Sequence, residues 1–367
     1  MAIDKIEIWD FQSAFRDGPY AMSHVTSTCA YGRILRVHSY KGLCGLGEIV
    51  FSPAVPSQDR EDRINDEDEY LTRLLGQPTS ALLNLASEMR LRDKSWHGIA
   101  FGLETAWIDI EGRKTGQAAY DLLGGKQRIS VPDYFSISES KLTDIRGRMD
   151  AAGANRTVFQ LKLGMASLDH DIKQVATLLK VMTAGQVLQA DANGGWTVDQ
   201  ACRIMAHFDD HRLIWEEPCA MYEDNVRVAE QTQKKVMVDQ CIGDLGMALR
   251  AIDENVAHSI CIKSVHLGGL TTARQVRDAA IASKTPMRID GPWCGDIASA
   301  AILHLAVGTP EDLLIAGCDL REPLTLPLDL KGVRHISSGE IAPPHGEGIG
   351  ITLGDDEFGT PEKTILI

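Results

Sequence analysis

Lys162, Asp191, Glu216, Asp239, Lys263, Asp290 and Asp319 follow one another at intervals of 23 to 29 residues, each at or just past the end of a short apolar run. Taken singly, an acid or a lysine at such a place is a helix cap or a solvated charge. Seven in phase describe a site. Three successive positions offer Asp, Glu and Asp, an all-oxygen donor set that suits Mg²⁺, which leaves coordination positions for water and substrate. Without a cation, three carboxylates in a low-dielectric pocket would repel one another. Lys162 stands one interval before the first acid and Lys263 one interval after the third, so the lysines flank the acids. A desolvated lysine beside another cation has a lowered pKa and can accept a proton at neutral pH. Metal and amine together are what removal of an α-proton from a carboxylate substrate needs. The metal stabilises the enediolate while the lysine takes the proton.

The elements that must position these residues follow from the apolar pattern. Short runs alternate with helical stretches from residue 128 onward: Val131–Ile137, Thr157–Leu163, Val187–Asp191, Leu213–Glu217, Val236–Asp239, Ser259–Lys263, Pro286–Asp290 and Leu313–Gly317. Eight strands alternating with helices predict a closed, TIM-like (β/α)7β barrel over residues 128–325, with the site at the C-terminal strand tips. Residues 1–127 read as an α+β capping domain, with strands at Ile3–Phe11 and Gly32–Ser39 and a glycine-punctuated stretch Gly42–Gly47. Helical spacing follows at Glu67–Leu75, Thr79–Met89 and Gly98–Arg113, and Asp17-Gly18-Pro19 marks a turn in the loop between Ala14 and Ser23. Residues 326–367 are expected to fold back onto the first domain.

Bulk properties exclude several classes. A chain of 367 residues, 44% apolar and 24% charged, is an ordinary globular sequence long enough for a barrel and a second element. Net charge is −14 and there is no basic run, which argues against nucleic acid and anionic membranes as partners. No apolar stretch is long enough to span a bilayer, and the N-terminus alternates charged and aliphatic residues as a strand does. Eight scattered cysteines include no CxxC pair, so buried thiols in a cytoplasmic protein are expected. Gly346-Glu-Gly-Ile-Gly350 follows no strand and opens no helix, which leaves a nucleotide-binding loop without support.

Leu161-Lys162-Leu-Gly164, Ala190-Asp-Ala-Asn193, Trp215-Glu-Glu-Pro218, Val238-Asp239 and Ile262-Lys263 resemble the motifs of the enolase superfamily, in its muconate-lactonising-enzyme subgroup, over essentially the whole chain. The resemblance implies one Mg²⁺ per subunit on Asp191, Glu216 and Asp239, with Glu216 rather than Glu217 as ligand. It implies Lys162 and Lys263 as acid/base groups. It also implies capping-domain loops, around Asp17–Tyr20 and Phe51-Ser52, that close over a small carboxylate substrate in a homo-oligomer. Three positions depart from the family pattern. Gln160 stands where Lys-x-Lys is common, Gln240 where Glu often follows the third ligand, and Asp290 where the mandelate-racemase type has His. His24 and His266 read as structural rather than catalytic.

Asp290-Gly-Pro-Trp-Cys-Gly-Asp296 and the loop containing Tyr20 resemble hydroxyproline-betaine epimerases, which have Trp where this chain has Asp319. That Trp boxes a quaternary ammonium, whereas an aspartate suits an N–H cation. The whole pattern most resembles cis-3-hydroxy-L-proline dehydratases, which implies a hydro-lyase with Asp290, Trp293, Asp319 and Tyr20 around the substrate. Two alternatives stand beside this: racemisation or 2-epimerisation of a proline betaine or N-substituted amino acid by the same lysines, and a barrel that keeps only the fold. Trp293 could instead pack the barrel rim, and Asp319 could pair with Arg321.

Overall fold

The computed structural model describes residues 1–23, 26–40, 42–51, 57–138, 141–153, 155–327, 329–336, 339–354 and 357–367, with residues 57–62 described by their backbone. Strand β1 (Ile3–Ala14) leads through a short hairpin, β2 (Tyr20–Ala21) and β3 (Thr26–Ser27), into β4 (Cys29–Ser39) and β5 (Cys44–Val50). Helices α1 (Ser57–Thr72), α2 (Ala81–Arg92), α3 (His97–Thr115) and α4 (Ala119–Leu122) follow. The stretch Gly42–Gly47 becomes most of strand β5, and its glycines have a packing reason. A Cβ at Gly45 would collide with the carbonyl of Ala106, and one at Gly47 with that of Gly102, so the sheet and α3 meet backbone to backbone. Helix α3 ends on Gly116 at φ 70°, a left-handed C-cap that glycine adopts without strain.

The barrel is built as the apolar pattern requires. The run predicted as Val131–Ile137 divides at Pro132, which has no N–H to give a ladder. Its first part, β6 (Val131–Pro132), leaves the barrel, and β7 (Tyr134–Ile137) is the first barrel strand. Helix α5 (Leu142–Ala151), β8 (Val158–Lys162), α6 (Leu168–Val181), β9 (Val187–Asp191), α7 (Val198–Met205) and β10 (Leu213–Glu216) follow. Then come α8 (Tyr222–Thr232), β11 (Val236–Val238), α9 (Leu245–Glu254), β12 (Ser259–Lys263), α10 (Leu270–Ala282), β13 (Met287–Asp290), α11 (Asp296–Ala306) and β14 (Leu314–Ala316). Strands β7 to β14 pair in sequence order, all parallel, with a register shift between β13 and β14, and Tyr134 N and Gly317 N close the ring by bonding Gly317 O and Pro132 O. Side chains alternate across each strand. Phe159, Leu161, Leu188, Ala190, Leu213 and Trp215 join the apolar layer under the helices, which turns Gln160, Lys162, Gln189, Asp191 and Glu216 inward.

The remaining chain returns to the start. Strands β15 (Arg334–Ile336) and β16 (Glu340–Ala342) form a small sheet with β6, and β17 (Lys363–Leu366) adds antiparallel to β1, with Ile6 opposite Ile365. Two buried acids fasten the cap to the barrel. Glu48 of β5 accepts from Gly295 N at 2.6 Å and Ala298 N at 2.8 Å at the start of α11, and Glu104 of α3 accepts from Thr271 N at 2.8 Å at the start of α10. A carboxylate on the orphan N–H groups of a helix N-terminus satisfies donors and complements the dipole. None of the eight cysteines forms a disulfide. Among the described residues, no helix is long and apolar enough to cross a membrane.

Replacing Gly47 by alanine is expected to force the sheet away from α3 at a cost of about 1–3 kcal/mol, the usual range for overpacking. Equilibrium urea unfolding measures it. An unchanged midpoint would show that the close approach tolerates a methyl group.

Candidate active site

Three of the strand-tip carboxylates are each paired with a different cation. Lys162 Nζ lies 2.5 Å from Asp191 Oδ2, Lys263 Nζ lies 2.6 Å from Asp239 Oδ2, and Arg288 bonds both oxygens of Glu216, with Nη1 2.6 Å from Oε2. Register puts them side by side, since Lys162 is opposite Asp191 across β8–β9 and Asp191 is opposite Glu216 across β9–β10. Gln160 Nε2 bridges Asp191 Oδ2 at 3.1 Å and Glu216 Oε2 at 3.0 Å. Its Oε1 accepts from Ser136 Oγ at 3.0 Å, and Ser136 shares a hydrogen bond of 2.7 Å with the Tyr20 hydroxyl. A continuous chain of hydrogen bonds therefore runs from the cap hairpin to the carboxylates.

The charges shift one another in opposed directions. Burial, with the charges of Glu216 and Asp239, raises the Asp191 carboxyl, Lys162 opposes the rise, and the net value is about 6. Burial also favours protonating Asp239, but Lys263 and Arg288 outweigh it and hold that carboxyl below its usual range. Both lysines are pulled up: burial opposes their charge, yet Asp191 beside Lys162 and Asp239 beside Lys263 win. Among the described residues, no three acids already converge on one point, because each is turned to its own cation. The donors nevertheless fit Mg²⁺: all are carboxylate oxygens, and Asp239 Oδ1 is buried without a hydrogen-bond partner.

The neighbouring acid, Glu217, serves the backbone. It sits at φ 41°, in the left-handed region that a glutamate seldom adopts, and its carboxylate accepts from Asp239 N at 2.6 Å and Cys241 N at 2.7 Å. Burial and the Asp239 charge raise it to about 8. Of the two adjacent acids, Glu216 is the one that turns inward beside Asp191.

Of the residues expected around a substrate, Tyr20 and Trp293 meet edge to face, with ring centroids 5.4 Å apart. With Phe135, Ser136, Lys141 and Arg148 they line a cavity of about 580 Å³ between the cap loop and β7. Arg148 pins that loop to α5 through Asp17 at 2.7 Å. Asp290 lies beside Lys263 in register but is taken by Tyr134 OH at 3.1 Å, Cys261 Sγ at 3.2 Å and the nearby Arg288. Asp319, expected near a substrate cation, is held by Arg321 and His335. Arg321 Nε donates to Oδ1 at 2.9 Å and Nη2 to Oδ2 at 3.1 Å, while His335 Nε2 lies 2.8 Å from Oδ2. Both oxygens are engaged by fixed cations, so pairing with Arg321 is what the structure realises. His266 lines a second cavity of about 220 Å³ with Lys94 and His97. Burial, with Lys263 nearby, lowers it to about 4 and keeps it neutral. His24 and Ser52 lie outside the described residues. Sequence reasoning missed Arg288 and Ser136. Arg288 carried a signal, because it lies two residues before Asp290 and must share its face.

The sequence matches the enolase C-terminal domain-like family over residues 144–357, and the mandelate racemase / muconate lactonizing enzyme N-terminal domain over residues 5–124. A cis-3-hydroxy-L-proline dehydratase from Roseibium aggregatum is 29% identical, over 98% of this chain and 99% of that protein. A mandelate racemase/muconate lactonizing enzyme of solved structure from Roseovarius nubinhibens ISM superposes with a TM-score of 0.87 at 28% identity, over 100% of this chain and 99% of that one. Another from the same organism, in complex with magnesium, has a TM-score of 0.87 at 24% identity, over 99% and 100% of the two chains, and shows the same fold.

The Asp319–His335 pair has a pH signature. Asp319 raises the His335 pKa above 6.5, so this stabilisation is complete below about pH 6.5 and disappears as pH rises through the higher folded value. Asp319 is depressed to about 2, so its own contribution persists above its usual range and fails only as pH falls through about 2. His335 is more than half exposed, which limits the pair to about 1 kcal/mol or less. His335→Gln should therefore lower stability at pH 5.5 and make little difference at pH 9. An equal loss at both pH values in thermal melts would assign His335 to packing.

Proposed function

This chain belongs to the enolase superfamily, with the mandelate racemase / muconate lactonizing enzyme architecture, and we propose that it dehydrates cis-3-hydroxy-L-proline to Δ¹-pyrroline-2-carboxylate. The reading rests chiefly on the placement of the lysines. Lys162 ends the second barrel strand and Lys263 the sixth of eight, which are opposite positions on a closed ring, and the three carboxylates occupy the strands between. The similarity in sequence to a cis-3-hydroxy-L-proline dehydratase along nearly its whole length supports the choice of substrate.

In cis-3-hydroxyproline the C2 hydrogen and the C3 hydroxyl lie on opposite faces of the ring. One lysine, as the neutral amine, takes the C2 proton; the other, as the ammonium, gives a proton to the departing hydroxyl, and water leaves. The resulting enamine tautomerises to the imine. Mg²⁺ on Asp191, Glu216 and Asp239 would supply charge for the developing enediolate and draw those carboxylates away from the lysines. Lys162 is held protonated by Asp191 and Lys263 by Asp239, so each proton affinity depends on how strongly its carboxylate is engaged elsewhere. Tyr20 and Trp293, which meet edge to face, would wall the substrate ring. Asp319 has no part in this reading. A 2-epimerase would use the same lysine pair without loss of water.

Cis-3-hydroxy-L-proline, its trans isomer and a proline betaine should be offered to the same enzyme sample, with water loss and α-deuterium uptake both followed. Turnover of the cis compound alone is expected, because the trans isomer has no anti pair. Lys162→Ala and Lys263→Ala should each lower turnover by at least about 10³-fold, within the range of a lost acid or base. One of them should retain α-proton exchange and so identify the base. Epimerisation of the betaine with no water loss from the cis compound would replace the dehydratase reading.

A further inference from the structure

Arg288 projects from the inner face of β13, one layer below Asp290, and is 1% exposed. Its two Nη atoms hold both oxygens of Glu216. Nη1 also donates to Gln189 Oε1 at 2.6 Å and Nη2 to Cys261 Sγ at 3.3 Å. Nε lies 2.9 Å from Asp290 Oδ2, though not in line for a hydrogen bond, and the Tyr134 ring covers the guanidinium at 5.0 Å. Of the three cations that hold the strand-tip carboxylates, this is the one to which the proposed proton transfers give no task.

Its position has an electrostatic consequence. Asp191, Glu216, Asp239 and Asp290 face Lys162, Lys263 and Arg288, which leaves one negative charge in excess within a buried ring. Gln160, on the other side of Glu216, contributes hydrogen bonds but no charge. Without the guanidinium, Glu216 would be an unpaired buried carboxylate beside Asp191, a strongly unfavourable arrangement. With it, any dication that takes Glu216 as a ligand must share those oxygens with a fixed positive charge and be repelled by it. We infer that Arg288 is a positioning residue that neutralises Glu216 in the metal-free protein and so sets how tightly Mg²⁺ is held. The inference rests on Asp191, Glu216 and Asp239 being the Mg²⁺ ligands proposed above, and not on the identity of the substrate.

Calorimetric titration of chelator-stripped full-length protein with Mg²⁺, alongside melting with and without Mg²⁺, tests this on wild type, Arg288→Gln and Arg288→Lys. Arg288→Gln should melt lower than wild type when stripped, recover on adding Mg²⁺, and bind Mg²⁺ about tenfold more tightly, as expected when a like charge is removed from beside the site. Arg288→Lys keeps the charge, though not the two-pronged contact, and should bind Mg²⁺ less tightly than Arg288→Gln and nearer to wild type. Equal or weaker binding by Arg288→Gln would overturn the inference, as would tightening by Arg288→Lys to the same extent. Failure of Arg288→Gln to fold even with Mg²⁺ would also overturn it, by making the guanidinium a packing element. Wild type that binds no Mg²⁺ would remove the ligand assignment and this inference together. Wild type that binds Mg²⁺ but leaves cis-3-hydroxyproline unchanged would remove the substrate reading alone.

Discussion

Three carboxylates buried within reach of one another at the mouth of a barrel must be neutralised, and the rest of the structure answers to that requirement. At an effective dielectric near 20, two like charges about 5 Å apart repel by roughly 3 kcal/mol, so three unpaired acids would consume much of the stability of an ordinary domain. Lys162, Lys263 and Arg288 each take one of them. These pairs lie among carboxylate donors of the kind that fit a dication. Breaking any one of them leaves a buried charge without a partner, which costs far more than the net worth of the intact pair.

Neutral groups then fix the geometry that the charges leave open. Gln160 bridges Asp191 and Glu216 from the strand that ends in Lys162, and through Ser136 it reaches Tyr20 on the cap hairpin. Glu217 spends its carboxylate on the backbone of the next loop, which fixes where Asp239 starts. The cost is a glutamate at positive φ beside the site, a strain of order 1–3 kcal/mol that surrounding hydrogen bonds must maintain. Gln240 is exposed and adds no further charge to the ring.

The cap is held against the barrel by elements distant in sequence. Glu48 and Glu104 occupy the N-termini of two barrel helices, and the glycine seam between β5 and α3 lets the sheet and helix that carry them sit close. The same attachment brings Tyr20 to Trp293, so the aromatic wall of the cavity is assembled from the cap and from the loop after β13. Asp319, Arg321 and His335 tie the segment after β14 to the rim.

The repeat of apolar runs in the sequence was enough to place eight strands and to put Lys162, Asp191, Glu216, Asp239 and Lys263 at one end of a barrel. Strand periodicity is local, and a residue's parity within its strand dictates which face it takes. The same rule would have put Arg288 on the inner face with Asp290, but which carboxylate it meets depends on the closure of the ring, because β10 and β13 are separated by two strands. Asp319 illustrates the converse. Its spacing matched the series, yet its oxygens are taken by Arg321, two residues on, and by His335 from a returning strand. The short β5 went unread because glycine suppresses strand propensity, and its reason for being glycine lies in the backbone of α3, more than fifty residues later in the sequence. Local pattern therefore determined the fold and the chemical groups at its mouth. Tertiary closure decided which charges pair and which are left to bind, since a pairing energy falls with distance in space and takes no account of distance along the chain.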